Sequence, residues 1–397
     1  MTVDPFAPAQ LGPISLRNRI IKAATFEGMT PKNKPTSWLI DYHRAVAAGG
    51  VGMTTVAFCC VSMDARGAPG ELVVTDDAVP GLRDLADVVH AEGAKVAAQI
   101  GHAGPVAAAA GIRGIAPSRV FSPLAMKFTR AMEADDFRRV ADEFVAAARR
   151  VVEAGFDAIE LHLGHHYLLS AFLSPKLNTR DDEWGGDVER RSRFPREVVR
   201  AVRDAIGTDV ALTAKLNMDD GVPGGLWLDE SIQIGRLLQD DGCLDALQLT
   251  GGGSLLNPMY LFRGAAPVAE MAATMKPWMR PGFKLVSKKF MPEYPFEEAF
   301  FLPYARQFHD ALDIPIILLG GINRLDTVQG ALDEGFAFVA MARALLREPD
   351  LLLRWQKGDT TESLCVHCNK CMPSIYAGTH CVLVEPSERP GLRLAKR

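Results

Sequence analysis

The sequence predicts an α/β fold of the closed (β/α)8, or TIM-barrel, class, and three observations predict it. Eight short runs rich in Val, Ile, Leu, Ala and Thr alternate with longer helical patterns along the 397 residues. Most runs are too continuously apolar for strands with one wet face and suit parallel strands buried on both faces. Polar side chains gather at the ends of many runs, and no Gly-x-Gly-x-x-Gly follows the first. That favours a ring over an open doubly wound sheet. Barrels of this class use more than about 200 residues as one domain. Residues 1–358 are therefore read as one barrel and 359–397 as a cysteine-rich C-terminal extension packed on it.

The strands are expected, in chain order, at 19–25, 51–58, 95–101, 158–164, 210–217, 246–252, 314–321 and 336–343. Gly-Phe-Asp, Gly-Thr-Asp and Asp-Ile-Pro stand at the starts of the fourth, fifth and seventh, where helix-to-strand turns belong. Amphipathic helices are expected between the strands. From Asp135 to Val152, for example, Phe137, Val140, Phe144, Ala147 and Val151 recur at helical spacing. A second such stretch runs from Val188 to Ala205. Two long loops, 102–132 after strand three and 253–295 after strand six, break the rhythm, as loops that carry function often do. The second is rich in Met and aromatic residues and reads as a wall or lid favouring bulky apolar substrates. A contact between copies in a homo-oligomer is its other reading.

Bulk properties narrow the partners. The formal net charge is −4 and no Lys/Arg run stands out, so nucleic acid is not an expected partner. No run of about 18 apolar residues exists to cross a membrane. The start, MTVDPFAPAQ, lacks the basic and apolar regions of a signal peptide. Cys59, Cys60 and Cys243 lie in apolar segments and read as buried thiols. With an odd total of 7 cysteines, a reducing cytoplasm is expected rather than a disulfide framework.

The richest segment runs from Glu160 to Phe194. His162, His165 and Tyr167 fall at and just beyond the end of strand four, on the rim where barrel active sites lie. Two imidazoles three residues apart on a turning loop can converge on one substrate oxygen and stabilise charge developing there. A phenol keeps its proton at neutral pH and can deliver it to carbon. Satisfied core histidines and a packing tyrosine are the bland alternative. Lys215, alone in an apolar inner strand, needs an anion or electron-rich atom nearby, since burying it unpaired is costly. A salt bridge to Glu160 and a cofactor contact both answer that need. Strands seven and eight end in Gly320, Gly321 and Ala342, Arg343. Backbone N–H groups beside glycines, together with an arginine, suit a phosphate. In the tail, Cys365, Cys368, Cys371 and Cys381 have spacings like those of an iron–sulfur or zinc site, reduced buried thiols being the other reading.

The run HLGHHYLLSAFLSP followed by N, R, D and GG resembles the Old Yellow Enzyme family of flavin oxidoreductases, and the likeness extends from about Leu11 to Asp359. The resemblance implies bound FMN, NAD(P)H as hydride donor, and an activated C=C bond as acceptor, in an α,β-unsaturated carbonyl or enoyl compound. It assigns His162 and His165 to the substrate oxygen and Tyr167 to proton donation. It places Gln99, in QIGHAG, on the flavin, where an amide suits the mixed edge of the pyrimidine ring. Ala24, Thr25 and Ala57 would also touch the flavin, and Lys215 would stand where the family usually has Arg. Four further departures are His166 and Ala342 for Gly, Pro105 for Arg, and Phe26 for Thr or Cys. The tail is similar to that of the 2,4-dienoyl-CoA reductase branch, whose four cysteines hold a [4Fe-4S] cluster, but it is one residue shorter between the second and third. Two other classes stay open on the residues alone: a Schiff-base lyase using Lys215, and a noncatalytic electron-transfer or binding subunit.

Overall fold

The eight expected strands all form: β1 (Ile20–Lys22), β2 (Met53–Cys60), β3 (Lys95–Gly101), β4 (Ala158–Leu163), β5 (Ala211–Asn217), β6 (Ala246–Thr250), β7 (Ile316–Leu319) and β8 (Phe338–Met341). The structure is a computed structural model that describes residues 2–109 and 111–390. Each strand pairs in parallel with the next, and β8 pairs back onto β1, so the ring closes. Outside it lie α1 (Ser37–Ala48), α2 (Val79–Ala91), α3 (Ala134–Glu153), α4 (Val188–Ile206), α5 (Leu228–Asp240), α6 (Leu302–Ala311) and α7 (Leu325–Asp333). In α3 the stripe Phe137, Val140, Phe144, Ala147 and Val151 is buried, as its spacing predicts.

Alternation along the strands sorts the barrel interior into layers. The register sets Ala97 beside Ala158 and Ala158 beside Ala211. With Ile21, Met53, Ala246, Ile317 and Phe338 they make an apolar floor, filled from below by the hairpin Ala9–Leu11/Ile14–Leu16. Two residues further along, Gln99 stands beside Glu160 and Glu160 beside Thr213. Then come His162 beside Lys215 and Lys215 beside Gln248. Period-two geometry therefore aims the polar members of β3, β4, β5 and β6 into one enclosed space above the floor.

The structure adjusts three expectations. β1 stops at Lys22, so Ala24 and Thr25 lie beyond the strand, with the Thr25 side chain beside the Tyr42 phenol. β2 runs on to Cys60, so Ala57 lies within it and not at its end. Cys59 and Cys60 are buried, but Cys243 is only half-buried. The 253–295 loop holds three short helices, Pro258–Phe262, Val268–Thr274 and Arg280–Phe290. No helix among the described residues is long and apolar enough to cross a membrane. The tail lies over the ends of the barrel strands. Thr379 N–H donates to the Glu27 carbonyl (2.7 Å) and Ser363 N–H to that of Asn323 (2.9 Å).

Candidate active site

β4 ends at Leu163, and Gly164 to Tyr167 turn the chain into the short helix Leu168–Leu173. His165 and His166 both adopt left-handed backbone, with φ of 60° and 63°. Each such non-glycine residue costs on the order of 1–3 kcal/mol. Packing holds the turn. His166 is fully buried, with Nε2 3.4 Å from the Asp220 carboxylate. A Cβ at Gly253 would lie 2.0 Å from His166 Nδ1, so the glycine makes room for the imidazole.

This turn brings the three expected residues together. The His162 ring stacks on Tyr167 with centroids 4.5 Å apart and meets His165 edge-on at 5.0 Å. Phe58, from β2, closes the group 4.7 Å from the Tyr167 ring. Burial, then the neighbouring His165 and Lys215, holds His162 well below the usual imidazole range; burial and Lys215 do the same to His165. Both rings are therefore neutral. Gly164 N–H donates to His162 Nδ1 (3.1 Å), which places the ring proton on Nε2. His165 Nε2 lies 2.9 Å from the Thr250 hydroxyl. Burial, reinforced by Glu71 and Cys60, pushes the Tyr167 phenol up, so it keeps its proton. The cluster thus supplies neutral N–H donors and one weakly acidic O–H.

The adjoining layer combines a lysine–carboxylate pair with two amides. Lys215 Nζ lies 3.0 Å from Glu160 Oε1, and Gln99 Nε2 donates to the same oxygen at 2.6 Å. Burial lowers the Lys215 pKa against the pull of Glu160. Gln248 Nε2 is buried with no acceptor, and the register puts Gln248 beside Lys215. An acceptor on a bound group would satisfy it.

The expected phosphate site is more crowded. Gly320 and Gly321 have φ of 125° and 70°, and Cβ atoms there would strike Phe301 and Phe300 at 2.6 and 2.5 Å. Arg343 donates to the Phe262 carbonyl (2.5 Å), to the Arg263 carbonyl (3.4 Å) and to the Asn369 side chain. It ties the 253–295 loop to the tail. The charges of Cys365, Cys371 and Cys368 reach this guanidinium. The four tail thiols are half-buried neighbours. Among the described residues, however, no three His, Cys, Asp or Glu side chains are arranged to hold a metal ion.

Sequence reasoning missed Gln248 and Thr250, although both sit at alternate positions of ALQLT and period-two counting would have found them. It also missed Ser254, whose side chain reaches Tyr167. That contact joins residues 87 apart in the chain, and no local pattern announces it.

Residues 4–243 match the family model described as NADH:flavin oxidoreductase / NADH oxidase. The chain is 56% identical over 389 residues to the 4,4'-dithiodibutanoate disulfide reductase of Rhodococcus erythropolis, covering 96% of each chain. It is 32% identical to a metal reductase of Desulforamulus reducens, covering 94% of this chain but 52% of that protein. The chain likewise spans about half of an alkene reductase/demethylase of Caballeronia cordobensis, to which it is 30% identical (93% and 51% covered). Morphinone reductase shares the fold, with a TM-score of 0.70, 24% identity, and 92% and 93% of the two chains covered. Family membership sets aside the Schiff-base lyase and the noncatalytic subunit. The chain belongs to the NADH:flavin oxidoreductase / NADH oxidase family and is an NAD(P)H-dependent flavin oxidoreductase of the Old Yellow Enzyme kind.

Proposed function

We propose that the enzyme reduces an electron-poor C=C bond, in an α,β-unsaturated carbonyl or enoyl compound, with NAD(P)H as the source of hydride. One observation carries this reading: two neutral imidazoles and a protonated phenol share one cluster directly above a Lys–Glu–Gln layer. The residues present fit FMN, since Gln248 Nε2 lacks an acceptor and Gln99 and Lys215 supply an amide and a cation beside it. Gln99, Lys215 and Gln248 would hold the flavin ring, with Ala24, Thr25 and Ala57 against it. Backbone at Gly320, Gly321 and Ala342 would hold the phosphate, with Arg343, tied to Phe262, Arg263 and Asn369, lending its charge from beside it. FMN, when bound, accepts hydride from the nicotinamide and passes it on. His162 and His165 donate hydrogen bonds to the activating oxygen and stabilise the charge that develops on it. Tyr167 gives its proton to the α-carbon. Anaerobic rapid mixing tests this: Tyr167→Phe should leave flavin reduction by NAD(P)H intact and slow its reoxidation by an enone. Equal enone rates in variant and wild type would refute it.

A second reading comes from the 56% identical disulfide reductase. An organic disulfide would place a sulfur where Tyr167 can protonate the departing thiolate. The buried thiols offer no competing exchange route, because burial holds Cys59 and Cys60 well above the ordinary thiol range. NADH and NADPH oxidation with an enone and with 4,4'-dithiodibutanoate, compared on one preparation, separates the two substrates.

The tail thiols have the right chemistry for a [4Fe-4S] cluster or zinc and lie near one another, but among the described residues no three are arranged to hold a metal ion, and no electron step is assigned to them. Iron, sulfide and zinc analysis of purified protein tests that ligand set.

A further inference from the structure

The 253–295 loop carries an arginine that is caged but not neutralised. Arg263 follows the short helix Pro258–Phe262 and is half-buried. Its guanidinium carbon lies 4.5 Å from the centre of the Tyr260 ring, 4.7 Å from that of Tyr294 and 5.5 Å from that of Phe300. Its Nε is buried without an acceptor, and among the described residues the guanidinium makes no hydrogen bond or ion pair. Arg343, close by, differs: its N–H groups go to the Phe262 and Arg263 carbonyls and to the Asn369 side chain.

Hydrogen bonds fix the cage. Tyr260 O–H donates to Asp219 Oδ2 (2.6 Å), and Asn257 Nδ2 donates to the Tyr294 hydroxyl (2.7 Å). Asn369 Nδ2 holds the Arg263 carbonyl at 2.7 Å. Asp219 is the carboxylate on which the Arg263 charge acts, but its oxygens are taken by Tyr260 O–H and by Gly221 N–H (2.6 Å). The cage also shares the rim with the catalytic cluster. Gly252 N–H donates to the Asp219 carbonyl (2.7 Å), Asn217 Nδ2 to the Gly252 carbonyl (2.8 Å), and His165 N–H to Asn217 Oδ1 (3.0 Å). An unbroken hydrogen-bonded path thus joins Tyr260 to the turn that bears His165.

A structural stack on three rings would explain where the guanidinium sits. Aromatic faces attract the cation, but its in-plane N–H groups still need acceptors, and a buried donor without one is costly. We propose that Arg263 is an oxyanion receptor, whose N–H fork binds the terminal carboxylate or phosphate of a molecule lying on the barrel rim. A planar guanidinium offers such a group two parallel hydrogen bonds. The rings hold the fork in place without cancelling its charge, so little ordering is left for the ligand to impose. Two molecules of the reaction carry this chemistry: an acidic substrate, through a carboxylate remote from the reacting bond, and FMN, through its phosphate. The substrate source rests on the reading of the cluster as a reduction site; the receptor itself does not.

The test compares wild type with Arg263→Met and Arg263→Lys. Calorimetric titration of butanoate into FMN-loaded enzyme, and of FMN and riboflavin into flavin-stripped enzyme, reads binding without turnover. KM for 4,4'-dithiodibutanoate against its dimethyl ester reads the substrate. With an acidic substrate as the source, butanoate affinity and the acid-over-ester preference should each fall about tenfold or more in Arg263→Met. Arg263→Lys should fall between, because an ammonium keeps the charge and loses the fork. With FMN as the source, the FMN-over-riboflavin preference falls by that factor instead. If butanoate affinity and both preferences stay within about twofold of wild type, the receptor is overturned. Should Arg263→Met fail to fold, Arg263→Lys carries the same comparison with a cation still among the rings. Failure of the reduction reading looks different: wild type would oxidise NAD(P)H with neither enone nor disulfide, while the butanoate and flavin titrations still report on Arg263.

Discussion

The strand-end layer and the cysteine tail both bear chemically capable side chains, but main-chain pairing positions only the first. His162, Lys215, Glu160, Gln99 and Gln248 sit on paired strands, and backbone register fixes each beside the next. The tail thiols sit on a segment with a single turn of 3-10 helix, anchored by scattered hydrogen bonds to Asn323, Glu27 and Phe26. The difference teaches where pre-organisation comes from. A closed sheet positions side chains through main-chain pairing before any ligand arrives, whereas a loop leaves convergence to the ligand itself.

The largest test of that contrast is the proton donor. Tyr167→Phe should slow flavin reoxidation by about 10²–10⁴-fold, the usual worth of a positioned general acid. Next is the oxygen-binding pair. His162→Ala should cost about 10²–10³-fold in kcat, as losing one donor to a developing oxyanion does. Lys215→Met should destabilise the fold by about 3–5 kcal/mol, because Glu160 stays buried without its cation. Lys215→Met with Glu160→Gln should recover stability but not FMN affinity; urea titration and flavin release read the two separately. Because scattered bonds rather than strand pairing hold the tail, Cys371→Ser should change the urea midpoint and enone rate least of all, and a large loss of either would erase the contrast.

Acid sharpens it as well. His102, His162 and His165 are held below their ordinary pKa by burial, His102 at about 3. The unfolded chain protonates these groups near 6.5 and the folded one does not, so stability is present above that value and falls as pH drops below it. At pH 5.5 the His102 imidazole alone costs about 1.4 kcal/mol. Glu71 has the opposite sign: its folded pKa of about 7 exceeds its unfolded value, so it adds stability as pH falls through that range. The urea midpoint should therefore drop between pH 7.5 and 5.5, and drop more steeply in Glu71→Gln.

Much of this was written in the chain. Continuous apolar runs at regular intervals announced eight buried parallel strands, because a strand covered on both faces has no polar side to show. His162, His165, Tyr167, Gln99 and Lys215 were legible because each is a polar residue at or near the end of such a run. The tertiary structure decided what those residues meet. It put Glu160 between Lys215 and Gln99, turned Arg343 toward the tail, set Gly253 against His166, and buried Glu71 against Cys60. Local sequence sets periodicity and side-chain type within a few residues. Partners tens to hundreds of residues apart are chosen only when the ring closes and the loops above it pack.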